Sequence, residues 1–145
     1  MTNSGSPTFD ASQQAILDGI GLGLRAKGWA RHVTVDWLLR EWQTLSVSVD
    51  RYIHTIDDYT NDLTGRDALE LVLMECPEPL RSELEVLIGR ADSEFVARTK
   101  EDSGCTLGRY FRIDDSSGWW WKRRPATGPL ADYLTEPTRK PQATD

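Results

Sequence analysis

Residues 80–95, LRSELEVLIGRADSEF, decide the fold class. Leu80, Leu84, Leu87, Ile88, Ala91 and Phe95 recur at i, i+4, i+7, i+8, i+11 and i+15, the spacing of one apolar stripe along an α-helix. Arg81, Glu83, Glu85, Arg90, Asp92 and Glu94 fall on the other side and read as a solvated face. Just upstream, Pro77 and Pro79 end one helix and restart the chain, because proline lacks the N–H a helix interior needs but suits a first turn.

Working outward, the segment before those prolines carries Leu69, Val72, Leu73 and Cys76 at helical spacing. Thr64 with Asp67 three residues on resembles a capping box that would open this helix, and Gly65 permits a break before it. Residues 55–64 then form a separate short helix or capped turn, with Ile56, Tyr59 and Leu63 on one face. Further upstream, Val35, Leu38, Leu39, Trp42, Leu45, Val49, Tyr52 and Ile53 make one continuous face, so a helix is expected over about 34–54. Thr34 is its N-cap, and Asp36 complements the dipole in its first turn. Asp10 or Ser12 could cap a first helix with Ile16, Leu17, Ile20 and Leu24. Gly19, Gly21 and Gly23 weaken it, since each costs about 1 kcal/mol relative to alanine, and a short strand suits the same alternation.

Beyond Thr99 the period changes. Leu107 to Ile113 alternates loosely, Asp114-Asp115-Ser116-Ser117-Gly118 reads as a turn, and Trp119-Trp120-Trp121 follows, which together suggest an aromatic β-hairpin. Leu130 and Tyr133 could anchor a last helical turn. The expected fold is therefore mainly α: a bundle of about four helices with a C-terminal aromatic hairpin or extended arm closing one side. Residues 1–8 read as a disordered lead, 9–134 as a single helical domain, and 135–145 as a flexible tail.

The 145 residues suit one domain, and a chain of that length buries about 68–70% of its unfolded surface without a metal or disulfide staple. Net charge is −6, unevenly spread: residues 51–102 carry 13 acidic and 6 basic side chains, residues 103–145 carry 5 and 7. An acidic middle repels phosphate and anionic lipid and attracts basic partners. No stretch approaches 18 apolar residues, so no membrane span is expected. Met1 to Phe9 has neither the basic nor the apolar region of a signal peptide, and Cys76 and Cys105 match no metal spacing. A reducing cytoplasm is the expected setting.

Three constellations could carry chemistry. If the chain stays helical there, His54, Asp58 and Asp62 share one face at spacings of four and could ligate a divalent metal, with Asp57 alongside. Trp119, Trp120 and Trp121, followed by Lys122, Arg123 and Arg124, could stack bases and hold phosphates. They could equally plug the core or contact a protein, with at least Trp120 pointing away from its neighbours if the run is a strand. Gly19-Ile20-Gly21-Leu22-Gly23 lacks the spacing of a dinucleotide loop and is set aside. No nucleophile elbow, zinc-protease motif or cofactor motif is present.

Asp58-Tyr59-Thr60-Asn61-Asp62-Leu63-Thr64-Gly65-Arg66-Asp67-Ala68-Leu69, with the later Trp120-Trp121-Lys122-Arg123-Arg124-Pro125, resembles a group of small helical bacterial proteins of unassigned function. The resemblance spans Trp37 to Pro125. It implies no activity, but it implies that Tyr59, Asn61, Leu63, Arg66 and Asp67 form one structural unit. In a physical reading, Asn61 and Asp67 would cap helix ends and Arg66 would pair with Asp62 at i−4.

The expected function is a non-catalytic acidic protein-binding domain, an inhibitor of the immunity-protein or antitoxin kind that masks a basic partner. Asp57, Asp58, Asp62, Trp119 and Trp120 would make the contact. The alternatives are a metal-dependent enzyme using His54, Asp58 and Asp62, and a single-stranded nucleic-acid binder using Trp121 to Arg124, which the acidic balance disfavours. No pattern speaks to oligomeric state.

Overall fold

The computed structural model describes residues 9–135. The expected lead over 1–8 lies outside the described residues, as does the expected tail apart from Thr135. Five α-helices appear in order: α1 (Ala11–Ala26), α2 (Val35–Ser48), α3 (Ile56–Glu75), α4 (Leu80–Ala97) and α5 (Pro129–Thr135). The only regular strands among the described residues are β1 (Thr99–Glu101) and β2 (Arg123–Pro125). The chain is thus a mainly α bundle with a C-terminal arm, and among the described residues no helix is long and apolar enough to cross a membrane.

The glycine-rich segment is helical, and α1 begins in a complete capping box. Asp10 accepts from the Gln13 N–H at 2.8 Å, and the Gln13 side chain accepts from the Asp10 N–H at 3.0 Å. Helix α2 starts at the Thr34 cap, whose Oγ1 accepts from the Trp37 N–H at 3.0 Å. It ends earlier than expected, tightening into a 3₁₀ turn at Val49–Arg51, after which Tyr52 is extended. The β-branched Val47 and Val49 stand where the helix gives out, consistent with their restricted χ1.

Helix α3 corrects the expected break. It runs unbroken through Gly65, and its capping box is Thr55 with Asp58, not Thr64 with Asp67. Tertiary burial overrides the local signals: Tyr59, Leu63, Ala68, Leu69 and Val72 are all buried, and a Cβ at Gly65 would only just touch the Leu38 side chain, at 3.8 Å. Asn61 and Asp67 therefore lie mid-helix and cap nothing. Pro79 does restart the chain, standing at the N-cap of α4.

Helix α2 is the centre of the bundle, packed on α1, α3 and α4. Leu38, Leu39, Trp42 and Leu45 on it meet the α4 stripe of Leu84, Ile88 and Phe95 in one buried cluster. The Trp42 and Phe95 rings lie 4.8 Å apart. Burying side chains of this size stabilises by about 1.5–3 kcal/mol each before entropy is counted.

The arm is not a hairpin of two aromatic runs. Leu107–Arg109 and Trp119–Lys122 are 3₁₀ turns, and the strands lie outside them, pairing antiparallel as Thr99↔Pro125, Lys100↔Arg124 and Glu101↔Arg123. The aromatic run is recruited to the bundle instead of to a partner strand. Gly118 permits this, because a Cβ there would lie 2.3 Å from the Trp120 ring. At Gly128 (φ +98°) a Cβ would lie 2.6 Å from the Asp50 carbonyl oxygen, where the entry to α5 crosses the end of the Val49–Arg51 turn. Leu130 and Leu134 then bury against the core, while Tyr133 stays exposed.

Candidate binding groove

Two polar assemblies occupy α3, and they do different work. The first is inward. Arg66 is buried, with its Nε and Nη2 donating to Asp92 Oδ1 and Oδ2 at 3.0 and 2.8 Å and its Nη1 donating to Glu70 at 2.6 Å. Its guanidinium also lies 4.3 Å from the Trp120 ring centroid and 5.8 Å from that of Trp42. Trp42 Nε1 donates to Asp92 at 2.8 Å. Asp92, expected on the solvated face of α4, is therefore the acceptor of a buried fork, and Arg66 pairs with it and Glu70 rather than with Asp62. Burial alone would pull the Arg66 pKa down, but the hydrogen bonds it donates to Asp92 and Glu70 hold it above its ordinary value.

One residue on, Asp67 fastens the arm. Its Oδ1 accepts from Trp120 Nε1 at 2.9 Å and from Trp121 Nε1 at 3.0 Å. Burial raises the Asp67 pKa, against the opposing pull of the two indole N–H groups and Arg66. Trp120 and Trp121 are thus both core, on the same side of the arm. The 3₁₀ turn replaces the alternation a strand would impose. Of the two tryptophans expected at a partner surface, Trp120 is unavailable, and Trp119 remains 39% exposed.

The second assembly opens outward. Between α1 and α2 the connection is pinned by the Trp29 N–H donating to the Leu24 carbonyl at 3.2 Å and by Arg25 Nη1 donating to the Val33 carbonyl at 2.6 Å. This pins Trp29 and His32 beside the first turn of α2, where His32 meets the Trp37 ring edge-on at 4.7 Å. Trp29, His32, Trp37 and Glu41 on one side, with Asn61 and Asp62 from α3 on the other, line a recess of about 390 Å³. Glu41 and Asp62 also line a second recess of about 340 Å³, which continues past them to Tyr52 and His54. The two side chains therefore border both recesses, between α2 and α3.

Asp62 accepts a 2.6 Å hydrogen bond from the Tyr52 hydroxyl. Partial burial raises its pKa, with Glu41 and Asp58 adding to the rise and Tyr52 and His54 opposing it. The Tyr52 hydroxyl is pushed far up in turn, by burial and by Asp62. Asp57 and Asp58 lie exposed at the start of α3, Asp58 in its capping box. Glu41, Asp57, Asp58 and Asp62 make no ion pair with any cation among the described residues.

The shared helical face proposed for His54, Asp58 and Asp62 does not exist. His54 precedes the Thr55 cap, its ring packed 5.4 Å from Tyr52, and α3 begins only at Ile56. Among the described residues no three His, Cys, Asp or Glu side chains are placed to hold a metal ion. The basic run is likewise dispersed. Trp121 is buried and stacked on Phe111 at 4.4 Å, Arg123 Nε donates to Thr99 at 2.7 Å, and Arg124 approaches Asp102 at 3.7 Å.

Of the groove residues, Asp62 was legible as a site candidate, whereas Trp29, Trp37 and Glu41 were not. The available signal was Trp37 and Glu41 four apart on α2, an aromatic followed by a carboxylate on one helical face. The chain matches no protein-family model, no curated protein and no solved structure.

Proposed function

We propose that this chain is a non-catalytic binding domain for a protein with a basic surface, an inhibitor of the immunity-protein or antitoxin kind working in the cytoplasm. The observation that carries the reading is the contrast between two sets of carboxylates. Asp92 and Glu70 are taken by Arg66, whereas Glu41, Asp57, Asp58 and Asp62 pair with no cation among the described residues. Negative charge left uncompensated on a groove attracts cationic groups and steers their encounter, an effect that salt screens. The partner surface retained from the sequence reading is Asp57, Asp58, Asp62 and Trp119, with Trp120 withdrawn to the core.

The resemblance of the Asp58–Leu69 segment to small helical bacterial proteins belongs to the same proposal. Tyr59, Leu63 and Arg66 are buried members of one helix. Both cysteines are free, which suits a reducing compartment. The metal-enzyme and nucleic-acid alternatives draw no support from the geometry of His54 or of Trp121 to Arg124.

The test is affinity purification of a tagged chain co-expressed with the product of the gene adjoining its own, beside an E41Q/D57N/D58N/D62N variant of matched fold by circular dichroism. A basic companion kept by the wild type and shed by the variant, and by both at high salt, supports the reading. An acidic companion, or one retained equally by the variant, overturns it.

A further inference from the structure

We infer that the recess between Trp29, Trp37, Glu41 and Asp62 receives a single guanidinium group, an arginine side chain of the partner. This rests on the basic-partner reading and names its point of attachment. The recess, at about 390 Å³, falls within the roughly 300–1,000 Å³ range of ligand pockets. Its lining has the chemistry of a cation site: two indoles, two carboxylates on facing helices and the Asn61 amide. Trp29 makes no ring contact among the described residues, and Trp37 makes only the edge contact with His32. No arginine or lysine of the described chain lies over either ring.

The interior of the same protein shows what such a set of groups binds. Arg66 lies against two indoles while its fork is held by two carboxylates from different places in the chain. The outer recess presents the same kinds of group, two tryptophans and two carboxylates. A planar, weakly hydrated guanidinium stacks on indole and donates to two acceptors at once, which a compact ammonium does not do as well. Lys27 and His32 also line the recess, and the Lys27 ammonium opposes a cation's approach.

The experiment follows the indole Nε1–H signals of the ¹⁵N-labelled chain during titration with agmatine, n-butylammonium, glutarate and an arginine-rich peptide. Agmatine is expected to shift the Trp29 and Trp37 signals saturably in the millimolar range while those of Trp120 and Trp121 stay still. Glu41→Gln with Asp62→Asn, which keep shape and remove charge, should weaken that response about tenfold or more. Lys27→Gln should strengthen it. Trp29 and Trp37 signals that agmatine leaves in place overturn the inference, as does an equal response to n-butylammonium or glutarate. If the arginine-rich peptide binds in a salt-dependent way without moving those two signals, the recess is not the attachment point while the basic-partner reading stands. If agmatine binds as described and the peptide does not, the recess stands and the broader reading falls.

Discussion

Replacing Arg66 by methionine keeps the volume of the side chain and most of its apolar contact with Trp42 and Trp120, but removes the fork. Asp92 would then keep only the Trp42 N–H, with its side chain 20% exposed. Breaking a buried pair by deleting one member costs about 3–5 kcal/mol, mostly for stranding the other charge. The partial access of Asp92 to water and the 48% exposure of Glu70 place this case near the low end, at about 3 kcal/mol. Adding Asp92→Asn removes the stranded charge while leaving an oxygen for Trp42. The double variant R66M/D92N is therefore expected to be more stable than R66M alone, by about 1–2 kcal/mol. Urea unfolding followed by circular dichroism reads both differences from the midpoints at constant m-value. A loss below about 1 kcal/mol in R66M, or a double variant no more stable than the single one, would refute the claim that charge pairing here supports the fold.

Three further outcomes follow from the same geometry. Asp67→Ala strands two buried indole donors and should cost about 2–4 kcal/mol, coupled to Trp120→Phe in a double-mutant cycle; additive losses would show that the arm is not fastened there. The Tyr59 hydroxyl is fully buried with no hydrogen-bond partner among the described residues, so Tyr59→Phe should be neutral or stabilising by about 1 kcal/mol, and a clear loss of melting temperature would count against this. The carboxyl of Asp62 holds its proton to higher pH in the folded chain than the ordinary value of 3.8. The folded state therefore binds more protons than the unfolded one from that pH up to the raised value, and Asp62's contribution to stability declines across this window and stays reduced above it. The advantage of Asp62→Asn over wild type should accordingly grow with rising pH through that window, and an advantage that shrinks would reverse the assignment.

Helix existence was legible wherever one apolar stripe met a cap. Residues 80–95 and 35–48 needed nothing beyond their own periodicity, because a 3.6-residue repeat has only one way to bury its face. Helix α3 carries no such stripe, because apolar and polar residues mix around its whole circumference. That helix is covered by α2 on one side and by the arm on another, and no single stripe records two contacts. The Trp119–Trp121 run announced burial or recognition without choosing between them. Asp67, more than fifty residues away, chose burial for two of the three.

What the sequence by itself determined is the class of the fold, the acidic balance and the absence of any familiar catalytic spacing, since these depend on neighbours within a few turns. Only the tertiary structure decided which charges are consumed and which are left over. Arg66 is held by Asp92 and Glu70, while Glu41 and Asp62, lining one recess from α2 and α3, have no ion-pair partner among the described residues and stand beside Trp29 and Trp37. The physical reason is range. Helical periodicity is set by bonds four residues long, whereas ion pairing and groove formation depend on distances in space between segments that the chain order keeps apart.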